Sequence, residues 1–106
     1  MQNLPHSLEL RIYRAEIRLL GALLRSPRGL SRMASRLNPL DFYDYRHQLI
    51  WAAMLNLHQQ AAPVNTESVL AELSRSRLDD DAGGQRYLHF LARKTCPPST
   101  GKRDPA

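Results

Sequence analysis

The sequence predicts an all-α domain, a compact bundle of five or six short helices. Apolar residues recur at three- and four-residue intervals in several segments, the repeat that aligns side chains on one face of a helix. Alternating runs bounded by turn residues are absent, and so are the Asn-Gly and Asp-Gly pairs of tight hairpins. Short stretches rich in Pro, Gly or Asp separate the periodic segments. A chain of 106 residues has room for one modest core.

The first helix is expected from about Leu8 to Leu24, with Tyr13, Ile17, Leu20 and Leu24 on one face, and Ser26-Pro27-Arg28-Gly29 ends it. A short second helix covers Leu30 to Leu37, with Leu30, Met33 and Leu37 inward. It stops before Asn38-Pro39, because the residue preceding proline disfavours the helical region. Asp41-Phe42-Tyr43-Asp44 forms a connector whose Asp44 caps a third helix, Tyr45 to Gln60. That helix is apolar on nearly every side between Leu49 and Leu55 and so belongs at the centre of the core. The fourth helix has Asn65 as N-cap, Glu67 in its first turn and Val64 placed to staple against Val69. Val69, Leu70 and Leu73 face inward, and the helix ends near Arg77. After the polar turn Asp79-Asp80-Asp81-Ala82-Gly83-Gly84, with Asp81 as expected cap, a last helix runs to Lys94 and turns Tyr87, Leu88 and Leu91 inward. Residues 1–96 make the domain, and 97–106, rich in proline and without a core anchor, are expected to be a disordered tail.

Several function classes find no support. The longest uninterrupted apolar run, Leu49 to Leu55, is too short to span a bilayer, so no membrane partner is expected. The first residues lack signal-peptide order, and the single Cys96 permits neither a disulfide framework nor a cysteine zinc site; a cytoplasmic location is the simplest reading. The only adjacent glycines, Gly83-Gly84, are not followed by Lys-Ser or Lys-Thr, so these residues hold no Walker loop for ATP. Asp79, Asp80 and Asp81 lack the alternating spacing of a calcium loop, His6, His47, His58 and His89 stand singly, and no nucleophile motif surrounds Ser or Thr. The expectation is therefore no catalytic residue, no metal, no cofactor and no enzyme.

Charge is more informative. The net +5 comes mostly from thirteen arginines against two lysines. Arg11, Arg14, Arg18 and Arg25 form a stripe opposite the apolar face of the first helix, offset only by Glu16, and Arg28, Arg32 and Arg36 continue a basic ridge. Three readings stand side by side: a solvated outer face, a surface for nucleic-acid phosphates, and a dock for an acidic protein. Phe42, Tyr43 and Trp51 are expected in the core, and Tyr43 or Trp51 becomes an interface anchor if exposed.

Taken in order, Pro5-His6-Ser7 with Glu9, Leu20-Gly21-Ala22-Leu23-Leu24, Asp41-Phe42-Tyr43, His47, Met54, Leu57, Pro63-Val64, Leu70, Leu73, Gly83-Gly84 and Tyr87-Leu88 make a specific pattern. Over roughly Leu4 to Pro97 it resembles the N-terminal domain of DnaB-type replicative helicases. The resemblance implies an all-helical head that helps build the collar of a hexameric ring and docks primase and other replication proteins. The implied partners are helicase subunits and primase, with a homo-oligomer and DNA as further expectations. Tyr43, Asn65 and Gln85 are the candidate protein-interface residues. The family's motor and its helical hairpin would lie beyond residue 106, so a free-standing modulator of a helicase is one form of the reading. The helicase-binding domain of primase and a small nucleic-acid-binding module are the alternatives. The chain departs from the pattern in a longer segment between Ser7 and Leu20, in Ala61-Ala62 where a glycine usually precedes the proline, and in Asn65 for the usual aspartate.

Overall fold

A computed structural model of the chain describes residues 6–94, which hold five helices and no strand. These are α1 (His6–Arg25), α2 (Leu30–Ala34), α3 (Tyr45–Gln59), α4 (Thr66–Arg75) and α5 (Gly84–Lys94), with single 3-10 turns at Pro27–Gly29 and Pro39–Asp41. Leu4, Pro5, Cys96 and the expected tail lie outside the described residues. Helix α1 packs along α5, α3 packs against α4 and also touches α1 and α2, and α4 rests on α5. The interior is filled by Ile17, Leu20 and Leu24 of α1, Ile50, Trp51 and Met54 of α3, Val69 and Leu73 of α4, and Leu88 and Leu91 of α5. The expected inward faces are therefore the observed ones, and α3 is central.

Where the elements differ from expectation, competing hydrogen bonds explain it. Helix α2 ends at Ala34 rather than Leu37. The backbone N–H groups of Arg36 and Leu37 both turn back to the Met33 carbonyl, and the Leu37 carbonyl accepts the indole N–H of Trp51 at 2.8 Å. Burying Trp51 requires a partner for that N–H, and the loop carbonyl supplies it. Next, Asn38 accepts from the Leu40 N–H while Asp41 accepts from the Asn38 N–H, which locks the turn. Asp44 caps α3 as expected, accepting from the Arg46 N–H at 2.9 Å.

Helices α3 and α4 end in the same way. Beyond α3, Ala61 has φ +58°, its N–H reaches the His58 carbonyl, and the Ala62 N–H reaches Leu57. Beyond α4, Arg77 has φ +59°, its N–H reaches Ser74, and the Leu78 N–H reaches Leu73. Both are Schellman closures with a non-glycine residue at the left-handed position. Asn65 caps α4 by accepting from the Ser68 N–H, and Ser68 returns the favour with its hydroxyl oxygen on the Asn65 N–H. Val64 and Val69 are both buried beside this cap.

The start of α5 corrects the sequence expectation. Asp81 makes no side-chain hydrogen bond to the helix. Backbone bonds close the turn instead, from Ala82 to Leu78, Gly83 to Asp80 and Gly84 to Asp79. They need positive φ at Gly83 (+103°) and Gly84 (+73°). A Cβ on Gly83 would stand 2.6 Å from that of Tyr87, whereas one on Gly84 would meet open space. The first glycine thus serves close packing and the second serves conformation alone.

Candidate interaction surface and the polar network beneath it

The connector from Pro39 to Tyr45 carries the largest exposed apolar side chains. Leu40 is 78%, Tyr45 57% and Tyr43 43% exposed. Phe42 and Trp51 are in the core as expected, but Tyr43 is not, because Phe42 takes the inward direction and the next residue must turn out. The Tyr43 hydroxyl donates to Glu9 at 3.0 Å, and that bond to a carboxylate raises the phenol's pKa above its ordinary value.

Beneath the connector lies a polar network that single-residue spacing did not announce. Glu16 is buried, and its carboxylate accepts the backbone N–H groups of Tyr43 and Asp44. The same carboxylate meets His47 Nδ1 at 2.7 Å, and His47 Nε2 meets the Tyr87 hydroxyl on the far side. A carboxylate offers only acceptors, so Nδ1 is the donor and Nε2 faces the phenol. The imidazole is stacked between Tyr13 and Tyr87, with centroids 5.6 and 5.8 Å away. Arg46 caps the stack 4.1 Å above the Tyr87 ring and pairs with Asp44 through two nitrogens at 3.2 Å. Burial, then the adjacent Tyr13, push the Tyr87 hydroxyl well up, while the Asp44 bonds push Arg46 up. Burial alone would raise Asp44, but the Arg46 hydrogen bonds and the field of His47 and Arg46 outweigh it and hold its carboxyl below the usual range.

An acid, an imidazole and a hydroxyl in line have the chemistry of a nucleophile relay. His47, however, has no exposed surface, so no substrate can reach it. The network acts as a clamp: it ties α1, α3 and α5 together and holds the connector's backbone in one place. Glu16 therefore does not offset the arginine stripe, as the sequence suggested. At 100° per residue it lies on the helix face between Leu20 and Leu23, both of them core residues, the signal that could have placed it inside.

The seven candidate arginines, Arg11, Arg14, Arg18, Arg25, Arg28, Arg32 and Arg36, are all exposed. The first four share the outer face of α1. Arg28 sits in the following 3-10 turn, Arg32 on α2 and Arg36 just after it, and α2 rests on α3 and that turn rather than along α1. Of the other candidates, Asn65 spends its side-chain oxygen on the α4 cap, and Gln85 is exposed with its amide 3.4 Å from His89 Nε2. Tyr43, Asn65 and Gln85 stand on three different elements and share no hydrogen bond.

This fold and this sequence have counterparts among known proteins. The family description "DnaB-like helicase N terminal domain" matches residues 5–102. The chain belongs to that family. Within the DnaB-like family, it is 39% identical over 88 residues to the replicative DNA helicase DnaB of Geobacillus stearothermophilus, covering 83% of this chain and 18% of the relative. It is 38% identical over 78 residues to the replicative DNA helicase DnaC of Bacillus subtilis, covering 74% and 17%. The crystal structure of the N-terminal domain of DnaB helicase from Mycobacterium tuberculosis superposes with a TM-score of 0.72 at 38% identity, over 78% of this chain and 57% of that one. The chain thus spans less than a fifth of the length of these two helicases. Among the described residues of this DnaB-like domain, no helix is long and apolar enough to cross a membrane.

Proposed function

We propose that this DnaB-like domain is a non-catalytic protein-interaction head of DNA replication, docking neighbouring helicase subunits and primase through the connector surface. The observation that carries the reading is the exposed trio Leu40, Tyr43 and Tyr45 on a backbone pinned from below by Glu16. Aromatic and aliphatic side chains on a surface already ordered lose little freedom on binding, which is what an interface anchor requires. The family match favours the helicase side over the helicase-binding domain of primase. As a separate protein, such a head would modulate a helicase by occupying a subunit interface without driving translocation.

A pull-down with the cognate helicase and primase tests the proposal. Recovery of either one supports docking, and the double variant L40S/Y43A should weaken it by about ten- to thirty-fold, the loss of one or two anchors at about 1.4 kcal/mol per tenfold. Recovery of neither protein sinks the reading.

A further inference from the structure

We infer that the outer face of α1 binds the phosphate backbone of nucleic acid, without regard to base sequence, through Arg11, Arg14 and Arg18. The three guanidinium groups project from an arc of about 60° on a helix rising about 1.5 Å per residue, so they line up over about 10 Å. All three are exposed, and none forms an ion pair among the described residues. Arg25 falls on the same arc but has a contact of its own, so it is not counted. The two acids of α1 cannot neutralise the stripe. Glu16 is buried in the clamp, and Glu9 is engaged by Tyr43 on the opposite side of the helix.

The same face argues against a protein as the occupant. Within the arc of the arginines the other side chain of α1 is Ser7, and Ala15 and Ala22 border the arc on one side. The exposed Leu8 and Leu10 stand on opposite flanks of it, too far apart round the helix to form one apolar patch. A protein interface is built around a large desolvated anchor, and the arginine arc itself holds none; the exposed tyrosines belong to the connector. It also lacks an aromatic platform on which bases could stack, which leaves charge-assisted forks onto phosphate oxygens as its available chemistry. This contact is independent of the docking reading, since it uses another face and different residues.

Fluorescence anisotropy of the 106-residue chain with a 30-nucleotide oligo-dT and with a mixed-sequence duplex of the same length, across a salt series, tests the inference. Three neutralised phosphates predict an affinity loss between 50 and 200 mM salt of about 40-fold on duplex and about 20-fold on the single strand. The variant R11A/R14A/R18A should lower the log-log slope by about 2 to 3. The variant R11K/R14K/R18K should keep most of the slope, which separates charge from folding, and circular dichroism should show all three proteins equally helical. The inference is overturned by undetectable binding at 50 mM salt, or by an unchanged slope in the alanine variant. An equal loss from R28A/R32A/R36A, or binding to poly-glutamate in place of nucleic acid, would also overturn it.

Discussion

Replacing Glu16 with alanine removes the acceptor of two backbone N–H groups and of His47 at once, inside the protein. Leaving such donors buried without a partner costs more than the bonds themselves contributed. Chemical denaturation of E16A should show a loss of about 3 kcal/mol or more, and Y87F, which deletes one hydroxyl, a loss of about 1 kcal/mol. Wild-type-like stability in E16A would remove the clamp from the account of this fold. Asp44 gives the residue-scale pH dependence. Its carboxyl is held below its ordinary value, so at intermediate pH the unfolded chain binds the extra proton. The stability it contributes is complete above about pH 4 to 5 and is lost as pH falls through the ordinary value and then the folded one. The variant D44N keeps a good N-cap but not the charge, so its stability should fall less steeply below pH 4 than that of the wild type. Parallel acid arms in the two proteins would contradict this.

Helix ends are where this chain has left stability unused. A left-handed residue other than glycine costs about 1–2 kcal/mol, partly offset by the greater freedom glycine has when unfolded. Ala61→Gly and Arg77→Gly should therefore each stabilise by about 0.5–1 kcal/mol, raising Tm by about 2–8 °C. A thermal melt showing a decrease would refute the strain assigned to these closures. The reverse change at Gly83 meets the Tyr87 ring as well as an adverse φ, and G83A should cost more than G84A, which meets open space. At this scale the sequence was readable because apolar periodicity and the Asp44 and Asn65 caps are local signals. The early end of α2 was not, since it depends on the Trp51 indole fourteen residues away. Nor was the start of α5, where backbone geometry displaced the obvious aspartate.

Across the whole molecule, the fold was legible because the core positions follow helical repeats that one sequence displays, and the family because the ordered residues from Leu20–Leu24 to Tyr87-Leu88 resemble it. The site was legible only in part. The arginine stripe could be read from spacing alone, but Glu16, His47 and Tyr87 are 31 and 40 residues apart, and no local pattern joins them. Tyr43 looked like core because composition cannot say which of two adjacent aromatic residues turns inward. The pairing of α1 with α5 has a consequence for how the chain comes into being. During synthesis the Ile17, Leu20 and Leu24 face emerges early and is not fully covered until Leu88 and Leu91 are made, and His47 lacks the Tyr87 hydroxyl for as long. A chain cut before Gly84 should accordingly show no cooperative unfolding transition. On the ribosome, folding of this domain must wait for α5, and until then the first helix offers both its apolar and its basic face to whatever stands nearby.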